Sequence, residues 1–217
     1  MLDAKICGVS DRPALDAALA GNARFIGLVF FAPSPRHLAD RAKAAALAAH
    51  ARSRAEIVAV TVNATDGELS AIAAAVAPDW VQLHGAEPPA RVAAARRFAR
   101  KGVIKALPVA TAADLAAAAA YEPVADMLLF DAKAPATADR PGGLGAAFDW
   151  KLLAGRSFSR PWFLSGGLTP ENVAAAAAIS GARLVDASSG LESAPGLKDP
   201  TRIAAFLAAC AQSEPPR

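Results

Sequence analysis

Eight short runs of apolar and β-branched residues recur along the chain, near positions 4–7, 25–30, 57–62, 80–84, 103–107, 127–131, 162–165 and 184–188. Alanine-rich stretches with helical spacing separate them. Strand runs that stay apolar at successive positions belong to a parallel sheet covered on both faces. A strand–helix unit repeated eight times closes such a sheet into an α/β (β/α)8 TIM barrel, and 217 residues are about what one barrel needs. We therefore expect a single barrel domain spanning 1–217.

Helix starts are marked between the runs. Ser10-Asp11 precedes Pro13, Asp66 precedes an apolar stretch at 71–76, Thr111 precedes Leu115, Thr169 precedes Pro170 and Asp199 precedes Pro200. Small polar side chains accept from the first free amides of a helix, and proline suits its first turn. The alanine tracts at 116–120 and 174–178 read as outer helices, because alanine combines high helix propensity with a thin packing face. The segment 133–148 holds Arg140-Pro141 and Gly142-Gly143-Leu144-Gly145, too many breakers for regular structure, and is expected to form a mobile loop over the barrel mouth.

Charge and hydropathy narrow the partners. The 23 basic residues are spread along the chain and leave a net charge of only +3, which argues against a nucleic-acid partner. No apolar stretch approaches the ~18 residues of a membrane span, and the chain enters its first strand at Met1-Leu2-Asp3 without a signal-peptide pattern. A cytoplasmic address follows as the expectation. Cys7 and Cys210 are then expected to remain unbridged. The oligomeric state is not written in the sequence, and a monomer is the default.

The last two runs empty into small residues, Ser165-Gly166-Gly167 and Ser188-Ser189-Gly190. Backbone amides approach an anion closely where Cβ atoms are absent or small, and a helix beginning at Thr169-Pro170-Glu171 would add its dipole. Barrels commonly hold phosphate on the loops after their last two strands. A small phosphorylated molecule is therefore the expected ligand, with Gly166, Gly167, Ser189 and Gly190 supplying amides and Ser188 or Ser189 a hydroxyl.

The other strand ends carry Cys7, Phe30, Asn63, Gln82 with His84, Lys105 and Asp131. Alone, Cys7 suits either a packing residue or a base, and Asp131 a cap, an ion-pair partner or an acid. His84 with Gln82 and Gly85 reads as a hydrogen-bonded pocket group. It has no second ligand at metal spacing, so neither metal nor cofactor is expected. Cys210, between Ala209 and Ala211, reads as packing.

Together these segments are more specific. Lys5-Ile6-Cys7-Gly8-Val9, Gly27-Leu28-Val29-Phe30-Phe31 with Ser34-Pro35-Arg36, Val81-Gln82-Leu83-His84-Gly85, and Phe130-Asp131-Ala132-Lys133 with Arg140-Pro141-Gly142-Gly143 stand in one order. Phe148-Asp149-Trp150, then 165–173, then Val185-Asp186-Ala187-Ser188-Ser189-Gly190-Leu191-Glu192 complete it. In that order and spacing the chain resembles the phosphoribosylanthranilate isomerases from end to end. Leu28, Ser165 and Ala187 depart from the usual residues of that pattern, away from the catalytic positions.

The resemblance implies an Amadori rearrangement of N-(5′-phosphoribosyl)anthranilate in tryptophan biosynthesis, by general acid and base. It assigns Asp131 as the acid, Cys7 as the base and Arg36 as the partner of the anthranilate carboxylate. Gln82, His84 and Asp186 then fall among the substrate-binding residues. Asp186 is expected to bond backbone or a sugar hydroxyl, since a carboxylate aimed at phosphate would repel it. Cys7 needs some thiolate, and Lys5, on the same strand face, could lower its pKa. Alternatively Lys5 pairs with a carboxylate at the barrel centre. Rival readings are the histidine-pathway sugar isomerase with two carboxylates, an imine-forming lyase using Lys105 or Lys133, and an inactive phosphate-binding protein.

Overall fold

The eight runs form eight parallel strands that pair in chain order and close on themselves, β8 returning to β1. They are β1 (Asp3–Cys7), β2 (Phe25–Val29), β3 (Glu56–Thr61), β4 (Trp80–Leu83), β5 (Gly102–Val109), β6 (Met127–Ala132), β7 (Trp162–Leu164) and β8 (Leu184–Ala187). The structure is a computed structural model and describes residues 1–134 and 147–213. The loop expected at 133–148 falls largely outside the described residues, and so does its Arg140-to-Gly145 motif.

Alternation along each strand divides the apolar residues into two cores. Cys7, Phe25, Val58, Trp80, Ile104, Met127, Leu129, Phe163 and Leu184 pack inside the barrel, where the rings of Phe25 and Phe163 meet edge to face at 5.2 Å. Ile6, Ile26, Leu28, Leu83, Val103, Leu128, Phe130 and Val185 point outward into a second core beneath the helices. Parity therefore fixes which strand-end groups reach the interior. Lys5, Gln82, Asp131, Ser165 and Asp186 share it with the inner set. Lys105 lies between inward Ile104 and Ala106 and so faces out.

Among the described residues seven α-helices cover the barrel: α1 (Arg12–Ala20), α2 (Arg41–Ala51), α3 (Asp66–Val76), α4 (Pro89–Ala95), α5 (Ala118–Tyr121), α6 (Val173–Ser180) and α7 (Pro200–Gln212). Asp11 and Asp199 cap α1 and α7 as expected. Three other starts differ. Thr65 rather than Asp66 caps α3, because its hydroxyl and the Glu68 carboxylate satisfy each other's backbone in a capping box. Thr111 caps no α-helix: Asp114 gathers the amides of Ala110 and Thr111 into a turn that leads to a short 3-10 segment. Near Thr169 the helix starts only at Val173, because Asn172 Oδ1 takes the Thr169 amide and holds 169–172 as a turn.

A hairpin absent from the expected elements, β9 (Glu192–Ala194) with β10 (Leu197–Lys198), follows β8. Cys7 and Cys210 are both unbridged, and burial pushes the Cys210 thiol up to about 12. Among the described residues no helix is long and apolar enough to cross a membrane.

Candidate active site

The C-terminal strand ends meet in one mouth. Cys7 ends β1 and Asp131 lies near the end of β6, both on the inward parity, with β7 and β8 and their glycine loops between them in the closed sheet.

Below Cys7, Lys5 Nζ donates to Asp186 Oδ1 at 2.9 Å across the β1–β8 seam, and Ser165 Oγ donates to Asp186 Oδ2 at 3.2 Å. Lys5 is 0 % exposed. Burial alone would drain its charge, but Asp186 and the nearby Cys7 outweigh that and hold the ammonium above the usual lysine range. Lys5 thus pairs with a carboxylate at the barrel centre. Its proposed lowering of Cys7 is outweighed: burial pushes the Cys7 thiol up and Asp186 adds to this, against the pull of Lys5, Lys198 and Arg36. Gly27 on β2 makes room here, since a Cβ there would sit 3.0 Å from Cys7 Cα and 3.2 Å from Cys7 Sγ.

Arg36, in the loop after β2, packs against Gly8 just past the end of β1. Gly8, at φ +79°, allows it, because a Cβ at Gly8 would come within 2.5 Å of Arg36 Cδ. The guanidinium grips Glu192 on β9 with two bonds, Nε at 2.6 Å and Nη2 at 2.8 Å. The sequence reading assigned Arg36 to a substrate carboxylate and did not foresee this internal partner. Lys198 on β10 joins the cluster, donating to Glu192 Oε1 at 2.7 Å and to the Ser188 carbonyl at 2.9 Å. Burial works against the Glu192 anion, yet Arg36 and Lys198 leave its carboxyl below the usual range. The hairpin therefore brings Lys198 beneath the β8 loop, and Ser188 Oγ in turn donates to the Cys7 carbonyl at 3.1 Å.

Gly166 and Gly167 both adopt positive φ, +88° and +65°. Among the described residues no acceptor takes their amides or that of Ser189. A Cβ on Gly190 would lie 2.1 Å from the Leu168 carbonyl oxygen, so the two loops touch and form one concave surface. A Cβ on Gly166 would lie 3.3 Å from Asp131 Oδ1, which sets this surface beside the acid candidate. Gln82 and His84 reach Asp131 from β4: Gln82 Nε2 is 2.9 Å from His84 Nδ1, and His84 Nε2 is 3.2 Å from Asp131 Oδ2. No group of three or more metal-ligating side chains stands together among the described residues.

Two strand-end residues are turned away from the mouth, Phe30 into the outer core and Lys105 behind β5. Lys105 is buried on the outer side of β5 and donates to Glu87 Oε2 at 2.7 Å and to the Gly85 carbonyl at 2.6 Å. Glu87 also accepts the Asn63 and Gly85 amides. The imine-forming reading loses that lysine. Lys133 is exposed, and its Nζ lies 3.3 Å from Asp114 Oδ1.

A sequence model of the family described as N-(5′-phosphoribosyl)anthranilate (PRA) isomerase matches residues 4–209. The chain belongs to that family. A relative named N-(5′-phosphoribosyl)anthranilate isomerase from Rhodopseudomonas palustris (strain BisA53) is 55 % identical over 213 residues, covering 98 % of this chain and 97 % of its own. The phosphoribosyl anthranilate isomerase of Thermotoga maritima superposes with a TM-score of 0.85 at 33 % identity, covering 97 % of this chain and 99 % of its own. Another isomerase structure of this family holds reduced 1-(o-carboxyphenylamino)-1-deoxyribulose 5-phosphate and superposes at 0.80 with 30 % identity, covering 97 % and 99 %. Family membership and the barrel together remove the phosphate-binding-protein and lyase readings from first place.

Proposed function

We propose that this mouth converts N-(5′-phosphoribosyl)anthranilate into 1-(2-carboxyphenylamino)-1-deoxyribulose 5-phosphate, with Asp131 as general acid and Cys7 as general base. The observation that carries the assignment is the placing of these two groups on inward parity at the same barrel end, on either side of the glycine loops. The phosphate rests on the amides of Gly166, Gly167, Ser189 and Gly190 with the Ser188 and Ser189 hydroxyls at hand. The substrate's aryl carboxylate meets Arg36, whose orientation Glu192 fixes.

The chemistry then runs in two proton transfers. Asp131 gives its carboxyl proton to the furanose ring oxygen; the C1′–O bond breaks with its electron pair on oxygen, and the anilino nitrogen closes a C1′=N double bond. Cys7, as thiolate, removes the C2′ proton to give the enolamine, which gains a proton at C1′ from solvent and loses its enol proton to give the ketone. Asp186 belongs to the site through Lys5 and Ser165. We assign the enzyme to the cytosol, where both thiols stay reduced. The reaction uses no metal or cofactor, so a chelator leaves it unchanged. The test follows fluorescence while purified protein consumes freshly made phosphoribosylanthranilate. A protein that binds the ketose phosphate yet consumes no substrate refutes the reading.

A further inference from the structure

Gln82, His84 and Asp131 form a hydrogen-bonded line that the two-step scheme leaves unused. Asp131 Oδ1 already accepts the Ala132 amide at 2.9 Å, so a carboxyl proton belongs on Oδ2, the oxygen that faces His84 Nε2. Gln82 is 0 % exposed, and its Oε1 has no partner among the described residues. A buried amide end without a bond is costly, and His84 is the side chain that holds the other end. Resting on the isomerase reading, we infer that His84 is a positioning residue that holds and returns the proton Asp131 delivers, and that the Gln82 amide selects which His84 nitrogen is protonated.

Proton counting gives the argument. When Asp131 carries its proton on Oδ2, His84 Nε2 must offer a lone pair, so the ring proton sits on Nδ1 and needs an acceptor there. If the proton moves across to make an imidazolium beside a carboxylate, Nδ1 still donates. In both charged-up arrangements the carbonyl end of Gln82 must face Nδ1. Once Asp131 has lost its proton to the substrate, His84 Nε2–H donates to the carboxylate, Nδ1 becomes an acceptor and the NH2 end of Gln82 fits. In the structure Gln82 Nε2 faces His84 Nδ1 at 2.9 Å, the amide orientation that this second arrangement uses. Half a turn of the amide converts one into the other without changing shape.

A turnover also leaves the enzyme out of balance, with Asp131 ionised and Cys7 protonated. The proton must come back to Asp131, whose side chain is 10 % exposed, and His84 at 16 % is the more open of the two. Glu87 and Lys105 pair with each other on the outer side of β4 and β5, and the inward β5 residues Ile104 and Ala106 are apolar.

The experiment compares wild type with Gln82→Met, Gln82→Glu and His84→Asn, using 15N-histidine NMR across pH and steady-state kinetics. In wild type, His84 Nδ1 should carry a proton at low pH and give it up as pH rises, leaving the ring proton on Nε2. Gln82→Met removes the acceptor, so the change should move to lower pH and kcat fall about tenfold to a hundredfold. Gln82→Glu supplies a stronger acceptor, so the change should move to higher pH by about one unit or more. His84→Asn should lower kcat while affinity for the ketose phosphate holds. Opposite shifts from two substitutions at one site are not what a packing role produces. A His84 whose Nδ1 carries no proton at low pH, or which shifts in the same direction in both Gln82 variants, overturns the inference. Wild type without isomerase activity overturns the proposed function instead, and the NMR arm still decides this one.

Discussion

Asp186→Asn isolates the buried ion pair at the centre of the barrel. The change keeps the shape and removes the charge opposite Lys5, an ammonium that is 0 % exposed and bonded at 2.9 Å. Removing one partner of a buried pair typically costs about 3–5 kcal/mol. An independent bound comes from letting Lys5 drop its proton: from an ordinary pKa near 10.4 to neutrality is about 3.4 units, or about 4.6 kcal/mol at about 1.36 per unit. The two routes agree, and neither adds a large term for Ser165, because the asparagine oxygen still accepts from its hydroxyl. Urea unfolding at neutral pH should therefore show a loss of about 3–5 kcal/mol. Because the folded-state pKa of Lys5 is raised, the pair's contribution is full below the ordinary lysine value and fades as pH climbs through the folded value. The deficit of the variant should accordingly shrink in strong alkali.

The same ion pair bears on Cys7: burial raises the thiol and Lys5 works against that, so Lys5→Met should delay thiolate absorbance to higher pH. Pairing Lys5→Met with Asp186→Leu should recover much of the stability lost by either alone, since no charge is then left buried. A loss under about 1 kcal/mol for Asp186→Asn, or a double variant as unstable as the sum of the singles, would refute the reasoning.

Asp131→Asn should lower turnover about a hundredfold or more while leaving ketose phosphate affinity nearly intact, measured by kcat and by calorimetry; lost binding with preserved turnover contradicts the acid role. Cys7→Ser exchanges a good base for a poor one and should cripple turnover to a similar degree, so a wild-type rate from it rules out thiolate chemistry. Gly190→Ala should raise KM about tenfold to a hundredfold, because its Cβ would lie 2.1 Å from the Leu168 oxygen and force the two phosphate loops apart. Lys105→Met should destabilise by about 3–5 kcal/mol through the stranded Glu87, and borohydride with substrate should label no lysine in wild type.

What the sequence made legible was what period and local chemistry determine. The strand at 57–62 was found within a residue because its apolar run has no helical alternative, and Asp11 and Asp199 were found as caps because each stands just before proline-marked helix starts. Thr169 misled because a Thr-Pro pair signals a helix while the actual amide acceptor, Asn172, lies three residues on. Glu192 was visible only as the last residue of a motif. Its bond to Arg36 spans 156 positions and depends on a hairpin too short and polar to announce itself. Lys198 was invisible for the same reason, as a lone lysine in a loop. Cys7 was placed correctly, but the sign of its pKa shift was not, because burial is a property of packing that strand parity alone does not measure.

Parity does explain why this barrel buries two lysines with opposite consequences. Lys5 and Lys105 each sit inside a strand, each is almost wholly buried, and each meets a carboxylate within 3 Å. One register step separates their fates: Lys5 shares the inward set with Cys7, while Lys105 falls between two inward residues and is turned behind the sheet. Burial lowers the Lys105 pKa despite Glu87, whereas Asp186 and Cys7 raise that of Lys5 despite burial. The inner pair thus sets the potential under the base candidate. The outer pair ties down Gly85 and so fixes the strand end from which His84 reaches Asp131. A barrel can place charge under its mouth or behind it by a shift of one residue, and here each position supports a different one of the two groups proposed to transfer protons.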